Sequence, residues 1–386
     1  MFWLWVRWHA VCLGHSLKRL SPNDREILFI LGDTRNDENV PRYQFLILNF
    51  FAEAGYNIYV YQGLDFGFFK RLGDWGQHLY AVKNLRFITD IPRRTEGMVF
   101  AFDHEEPDES LLKLRWKKLL YVNSQKPPSW KVGDEIVRIP YVMFPGVYRS
   151  GRHRDLETFR NQQRKIRAFF AGNMNKIYYD NPDLENNYGQ MTRHAGVEAL
   201  LNSGRKIIHQ PEKKEFDRLI RGDRYSRECV IFDFFKFKIK AARWLNVLST
   251  SDFFICFSGT DYPFSHNSVE SLAVGTIPIL SYADWFDPPL EHKKNAIVYA
   301  GKEDLIQKIE EVMTMGADEI GAMKKNAARY YDEHLSPASF ARRFETCGEV
   351  STLMMFPRLV VSDPGGKGQR QIEALNAQIG RVGVST

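Results

Sequence analysis

Residues 248–299 decide the fold, and they read LSTSDFFICFSGTDYPFSHNSVESLAVGTIPILSYADWFDPPLEHKKNAIVY. The apolar run at 253–257 is typical of a strand that is buried on both faces, and turn residues follow it. A helix is predicted next, with Asn267 or Ser268 at its start and Gly275 just past its end. The apolar IPIL that follows predicts a second strand. Strand, loop, helix and strand in this order predict a parallel α/β unit.

A helix that begins just after a parallel strand offers a binding site for anions. Its first N–H groups have no partner within the helix and carry a partial positive charge, which suits a diphosphate. His266, Asn267 and Ser268 would add side-chain donors at that end. Glu270 lies in the first turn and can accept hydrogen bonds from both hydroxyls of a ribose, as acidic groups do in other nucleotide sites. The alternative is that Ser268 caps the helix and Glu270 complements its dipole.

Composition limits the classes of protein that the chain can belong to. The chain has 386 residues, enough for two domains, and 44% of them are hydrophobic. The net charge of +6 is modest for this length, which argues against a dedicated nucleic-acid-binding protein. It fits anionic ligands or contact with a membrane surface. No CxxC pair occurs, so the sequence predicts no structural zinc site. The cysteines are Cys12, Cys229, Cys256 and Cys347.

Residues 1–25 form an apolar and basic N-terminal segment. Its first 13 residues include Arg7 and His9, so they fall short of the roughly 20 apolar residues of a spanning helix. They also lack the order of a signal peptide. The residues suited to an anionic lipid interface are Trp3, Trp5, Trp8, Lys18, Arg19 and Arg25. The segment is compatible with peripheral membrane contact and also with a helix that packs on the protein body. The expected location is cytoplasmic or peripheral to a membrane, or a Golgi-type lumen if the N-terminus is incomplete.

Two α/β halves follow this segment. Residues 26–150 begin with the strand EILFIL and predict a Rossmann-like domain that binds the acceptor. Residues 151–350 repeat the pattern and contain the nucleotide segment. Residues 351–386 are assigned to a C-terminal tail after a helical segment. From Asp363 onward this tail has few large apolar side chains and several glycines, which predicts that it is mobile. The predicted fold class is therefore α/β, with two Rossmann-like domains facing across a cleft. Neither GxGxxG nor GxxxxGK[ST] occurs, which disfavours dinucleotide oxidoreduction and P-loop ATP hydrolysis.

The segment RKIRAFFAGN at 164–173 predicts a strand that ends in a glycine loop. Gly172 and Asn173 would then lie at a strand end, where ligands bind in open α/β sheets. Arg167 would bring a positive charge to a phosphorylated ligand. The alternative is an ordinary turn at Gly172 and Asn173, with Arg167 an exposed residue before the strand.

These two segments together resemble the exostosin-like glycosyltransferases, which have the GT-B fold. The resemblance rests on RKIRAFFAGN at 164–173 and on SDFFICFSGTDYPFSHNSVESLAVGTIPIL at 251–280. The positions that match the family pattern are Ser258, Gly259, Glu270, Gly275 and Pro278. Family members often carry an arginine where this chain has Asn267. His266 or a basic residue from 164–167 would then supply the charge that faces the diphosphate.

The resemblance implies transfer of a sugar from a nucleotide diphosphate sugar, a UDP- or GDP-sugar, to a glycan or lipid-linked saccharide. It implies no obligatory cofactor or metal, and no DxD-like metal site stands out in the sequence. Helix dipoles and polar side chains would stabilise the departing diphosphate instead. The predicted donor site consists of Arg167, Gly172, Asn173, Ser258, Gly259, His266, Asn267, Ser268 and Glu270.

An inverting enzyme of this kind needs a general base for the acceptor hydroxyl. Asp103 and His104 are preferred because they follow a predicted strand and two neighbouring titratable groups can tune each other. Asp33 is the third candidate, and loop capping is the alternative for each. A retaining enzyme would need no such base. Two other functions stay open: an inactive GT-B protein that binds saccharide or nucleotide, and a nucleotide-sugar epimerase of similar architecture.

Overall fold

The computed structural model describes residues 2–31, 40–61, 79–80, 82–103, 109–123, 135–222, 225–234, 236, 238–260 and 262–354. The chain is α/β and forms two compact units. The first unit comprises Met1–Pro140 and Ser336–Thr386, and the second comprises Tyr141–Leu335. The prediction of two α/β domains with parallel sheets is thus confirmed.

The described strands are β1 Glu26–Ile30, β2 Asn57–Tyr61, β3 Leu85–Ile88, β4 Met98–Asp103, β5 Lys118–Asn123, β6 Glu135–Arg138, β7 Ile166–Gly172, β8 Ile207–His209, β9 Ser226–Asp233, β10 Ser251–Ile255, β11 Ile277–Leu280, β12 Ile297–Val298 and β13 Val350–Met354.

The described α-helices are α1 Phe2–Leu17, α2 Val40–Glu53, α3 Glu109–Leu112, α4 Pro145–Ser150, α5 Leu156–Arg160, α6 Lys176–Tyr179, α7 Asp183–Tyr188, α8 Arg193–Leu201, α9 Lys213–Arg221, α10 Ala241–Leu248, α11 His266–Ala273, α12 Gly301–Thr314, α13 Ala317–Tyr330 and α14 Pro337–Thr346. Short 3-10 turns span Arg152–Arg154 and Ala283–Trp285, and a π-helical turn spans Tyr331–Leu335.

The first unit contains a seven-stranded sheet in the order β3-β2-β1-β4-β5-β13-β6, and its described pairs are parallel. Strand β1 is buried at its three central residues because its apolar side chains alternate to both faces of the sheet. Leu28 packs there with Met98, Phe100 and Phe102 of β4. The hydrophobic core of this unit therefore lies around the central strands β1 and β4.

Strand β13 corrects the expected C-terminal boundary. Val350–Met354 lies between β5 and β6, with Ser351 in register with Leu120 on one side and Glu135 on the other. The predicted tail from 351 therefore begins with a strand of the first unit, and residues 355–386 lie outside the described residues. Local sequence does not reveal this strand, because its partners are more than 200 residues away along the chain.

The units also divide at positions other than the expected 150/151 and 350/351. Helix α14 belongs to the first unit, where Phe340 contacts Phe50 and Phe51 of α2 at ring-centroid distances of 5.3 and 5.2 Å. Tyr141 belongs to the second unit, where its ring stacks on Phe264 at 5.1 Å. Aromatic packing between sequence-distant segments thus sets the boundaries at Tyr141 and Ser336.

The second unit contains a six-stranded sheet in the order β12-β11-β10-β7-β9-β8, with parallel pairing throughout its described ladders. Strand β7 is buried at all seven residues. From β7 the chain first builds β8 and β9 on one side and then crosses to β10 on the other. The carboxyl ends of β7 and β10 therefore flank a topological switch point, the position where open α/β sheets bind ligands. The first sheet has the same feature between β1 and β4.

Candidate functional site

The switch point of the second sheet brings together two of the predicted strand ends. Strand β7 ends at Gly172, and it pairs in parallel with β10, which leads into Ser258 and Gly259. A side chain at Gly259 would put its Cβ 2.6 Å from the Tyr262 carbonyl oxygen and 2.7 Å from that of Phe264. The loop after β10 therefore closes so tightly that only glycine fits at position 259.

Arg193 joins these two strand ends. It is the first residue of α8, a helix that Thr192 caps by accepting a hydrogen bond from the Ala195 N–H at 3.2 Å. The Arg193 guanidinium donates to the Asn173 carbonyl at 3.3 Å and to the Ser258 carbonyl at 3.2 Å. Arg193 thus holds the ends of β7 and β10 in fixed positions.

The guanidinium of Arg193 is a buried cation that has no counter-ion among the described residues. Arg193 is 7% exposed, and its guanidinium forms no ion pair within the described part of the chain. Burial lowers the pKa of Arg193, although the nearby Tyr179 and Tyr282 act in the opposite direction. The Tyr179 ring lies 3.8 Å from the guanidinium carbon and makes a cation–π contact with it. Burial of an uncompensated charge is costly, so this position favours an anion.

Two buried polar atoms at the same place have no hydrogen-bond partner within the described ranges. They are Nε of Arg193 and Oγ of Ser258, a residue that is 1% exposed. Buried polar groups are nearly always paired in folded proteins. An oxygen-rich anion at the switch point would pair with both atoms, because phosphate oxygens accept hydrogen bonds from guanidinium and hydroxyl groups alike.

Helix α11 places the other predicted donor residues on the same sheet edge, but most of them have partners within the unit. Ser268 is fully buried, and its Oγ donates to the Ser265 carbonyl at 2.7 Å. Nδ1 of His266 lies 2.7 Å from the Val142 carbonyl oxygen. Asn267 is half-buried, and of the three it offers the most accessible side chain.

Glu270 is enclosed in the interior of the second unit. Its side chain has no exposed surface; Oε1 accepts from the Phe144 N–H at 2.8 Å and Oε2 from Trp244 Nε1 at 2.6 Å. Burial raises the pKa of Glu270 to about 7, and these two hydrogen bonds partly oppose the shift. The carboxylate therefore ties α11 to α10 and to the residue that precedes α4. The structure does not bring Glu270 to the surface where a ribose would meet it.

Arg167 lies at the opposite edge of the sheet from Gly172. It is the second residue of β7, and Gly172 lies five positions further along the strand, ~17 Å away. Its guanidinium faces Asp252 at 3.9 Å and the Tyr225 ring at 5.4 Å. Arg164 is also buried at that edge, where it donates to the Val274 carbonyl at 3.0 Å and to the Gly275 carbonyl at 3.1 Å. The structure therefore does not bring the basic residues of 164–167 to the switch point.

The candidate bases belong to the first unit, and the structure covers them only in part. Asp33 and His104 lie outside the described residues. Asp103 is the last residue of β4, beside the end of β1, since Phe102 is in register with Ile30. Its backbone thus lies at the switch point of the first sheet. Among the described residues, no three His, Cys, Asp or Glu side chains converge in a way that could hold a metal ion.

Sequence reasoning missed Arg193, although the sequence contains a signal for it. Cations are unfavourable in the first turn of a helix, because the helix dipole is positive there. An arginine that directly follows the capping residue Thr192 therefore indicates a role outside its own helix. Its partners, Asn173 and Ser258, are 20 and 65 residues away along the chain, so only the fold shows which groups it joins.

Comparisons with known proteins give only distant likenesses. No protein-family model matches the chain, and no curated protein matches it. Its structure is similar to that of a glycosyltransferase from Rickettsia africae, with 11% identity, a TM-score of 0.47, and 84% of this chain and 97% of that chain covered. It is also similar to the N-terminal domain of Candida albicans trehalose-6-phosphate phosphatase, with 9% identity, a TM-score of 0.40, and 85% and 97% covered. A third similar structure is Anabaena HepE in complex with UDP and glucose, with 11% identity, a TM-score of 0.38, and 83% of this chain and 98% of that chain covered. At these identities and TM-scores the likenesses do not establish a function.

Proposed function

We propose that the protein is a glycosyltransferase that uses a nucleotide diphosphate sugar, and that the second unit binds the donor at the β7/β10 switch point. The observation that carries the proposal is Arg193, a buried cation between two strand ends that has no carboxylate partner among the described residues. A diphosphate is the anion that such a position in a parallel α/β sheet typically receives. The exostosin-like sequence pattern around Ser258 and Gly259 supports the same assignment.

The reaction proposed for this site breaks the bond between the sugar and the diphosphate. Negative charge grows on the leaving diphosphate in the transition state, so a fixed positive group lowers the barrier without needing to rearrange. Arg193 is fixed in this way by two carbonyl groups and the Tyr179 ring. Ser258 Oγ, which has no hydrogen-bond partner in the described part of the chain, would donate to a phosphate oxygen. Asn173 and Asn267 are further donors at the same edge of the sheet.

The sequence pattern supports a more specific donor, acceptor and mechanism. We propose a UDP- or GDP-sugar as donor, a glycan or lipid-linked saccharide as acceptor, and an exostosin-like, metal-independent mechanism. In an inverting reaction, Asp103 or His104 would take the proton from the acceptor hydroxyl, with Asp33 as the third candidate. The contacts of Glu270 favour a positioning role for this residue. Its action on ribose hydroxyls stays a prediction.

A thermal-shift screen of the full chain with UDP, GDP, ADP and CMP tests the donor site. A ligand that binds only the folded state raises the melting temperature, so we expect a shift with UDP or GDP. The shift should be lost in Arg193→Ala and kept in Arg221→Ala, which removes an exposed arginine of the same unit. If no nucleotide shifts the wild type, the donor site is refuted.

A product assay then tests transfer. Release of nucleoside diphosphate that depends on an acceptor supports the glycosyltransferase. Nucleotide binding without turnover would favour the inactive binding protein. Conversion of the donor sugar without an acceptor would favour the epimerase.

A further inference from the structure

Helix α1 presents an apolar face on the side away from the protein body. Trp8 is 7% exposed and packs edge-on against Tyr80, with ring centroids 6.2 Å apart, so it fastens α1 to the first unit. Trp3 is 77% exposed and Leu13 is 61% exposed. Val6 and Ala10 lie between them at helical spacing, and the other described exposed side chains of α1 are those of Trp5 and His9. The outward face of a helix on a globular protein is normally polar, so this face indicates a partner.

The charges around α1 indicate the chemistry of that partner. The first acidic residue of the chain is Asp24, whereas Arg7, Lys18 and Arg19 all precede it. Arg19 is exposed directly after the helix, and Lys18 donates to the Val82 carbonyl at 3.2 Å. A segment with basic residues, no acidic residue and an outward Trp/Leu face complements an anionic lipid surface. A second copy of the chain is a poorer partner, because the same basic segments would repel each other.

We propose that α1 lies in the headgroup region of an anionic lipid bilayer and attaches the first unit to it. Tryptophan prefers this region, because its ring is apolar while its N–H needs a polar partner. The helix has 16 residues and spans ~24 Å, less than the ~30 Å of a hydrocarbon core. No helix of the described residues is long and apolar enough to cross a membrane. The outward Trp/Leu face beside basic residues would insert among the headgroups, with the helix axis along the surface.

Vesicle flotation of the full chain tests this surface. The vesicles are pure phosphatidylcholine, or phosphatidylcholine with 30 mol% phosphatidylglycerol (about a third anionic lipid, enough for a strong surface potential). We expect binding to the anionic vesicles, weaker binding to the neutral ones, and a loss of binding as salt is raised. Arg19→Gln should weaken partitioning about fivefold, the effect of about 1 kcal/mol per basic residue near the surface.

The decisive variant carries Trp3→Glu and Leu13→Glu. It removes the apolar contact and adds two acidic groups, so partitioning should fall about tenfold or more. The matched control carries Leu112→Glu and Leu114→Glu, which adds the same two acidic groups at leucines of the same unit that are 38% and 41% exposed. An unchanged melting temperature shows that the variants fold. Equal flotation of the double variant and the control would overturn the proposal. So would no binding of the wild type, or a concentration-dependent dimer that the double variant abolishes.

Discussion

Replacing Arg193 by methionine separates a ligand-binding role of this residue from a structural one. Methionine has a similar length and keeps the apolar contact with Tyr179, but it removes the charge and both hydrogen bonds to carbonyl groups. Charge-assisted hydrogen bonds contribute about 1.5–3 kcal/mol each. Against this loss stands the removal of a buried charge, which costs several kcal/mol when no counter-charge is present. The two effects oppose each other, so the stability of the free protein should change by no more than about 2 kcal/mol.

The effect on nucleotide binding should be larger and of one sign. A diphosphate bound at the switch point would lose at least one charge-assisted contact in Arg193→Met, about 1.5–3 kcal/mol. That loss corresponds to a Kd roughly 10- to 150-fold higher. Isothermal titration calorimetry with UDP and GDP measures it directly, and Arg221→Met serves as the exposed control.

Two outcomes distinguish the roles. A raised Kd with a nearly unchanged melting temperature supports Arg193 as the ligand for the diphosphate. An unchanged Kd with a large fall in melting temperature would refute the reasoning, because Arg193 would then serve only to hold the ends of β7 and β10 together. Arg193→Lys should lie between wild type and Arg193→Met, since lysine keeps the charge but not the planar fork that reaches two acceptors.

Three further predictions follow from single sites. Gly259→Ala should lower the free energy of urea unfolding by about 1–3 kcal/mol, because the new Cβ would press on two backbone carbonyl groups. The control Gly321→Ala, at an open helical position, should raise the free energy of unfolding by about 1 kcal/mol. Similar values for the two variants would contradict the tight turn at Gly259. Burial raises the pKa of Glu270 in the folded protein to about 7, above the value in the unfolded chain. The contribution of Glu270 to the free energy of unfolding is therefore full below about pH 4.5 and is lost as the pH rises through 7. Wild type should therefore lose about 3 kcal/mol of stability between pH 4.5 and pH 7 at this site, and Glu270→Gln should flatten that part of the curve; identical pH profiles in urea unfolding would exclude the effect. Asp103→Asn should abolish sugar transfer while the calorimetric Kd for nucleotide stays within about twofold of wild type; retained transfer would remove Asp103 as the base.

Much of the architecture could be predicted from local sequence, because strands and helices in α/β proteins carry strong apolar patterns. Gly275 was predicted to follow the helix in a left-handed conformation, and its φ of 67° confirms this. The strand, loop and helix around Ser258 also form, since the apolar run, the turn residues and the helix signals lie next to one another in the chain. The expected helix start is wrong, because the helix begins at His266 after Ser265 and not at Asn267 or Ser268. These features depend on neighbours within a few residues, so a sequence contains the information for them.

Which residues meet at the candidate site could be learned only from the tertiary structure. Arg167 and Gly172 are close in sequence, yet a strand extends ~3.3 Å per residue and puts them at opposite edges of the sheet. Glu270 has the spacing of a residue at the start of a helix, but Trp244 and Phe144, both distant in sequence, enclose it. The same reason applies to β13, whose partners lie more than 200 residues earlier.

The sequence by itself determined the fold class, the tight turns at the strand ends and the apolar, basic character of α1, because each depends on short-range patterns of side chains. The tertiary structure decided that Arg193, rather than Arg167, is the cation at the β7/β10 switch point. It also decided that Glu270 is buried against Phe144 and Trp244 and that α1 turns its apolar face outward. Those outcomes depend on which distant segments come together and on what they exclude from water, and no local pattern fixes that.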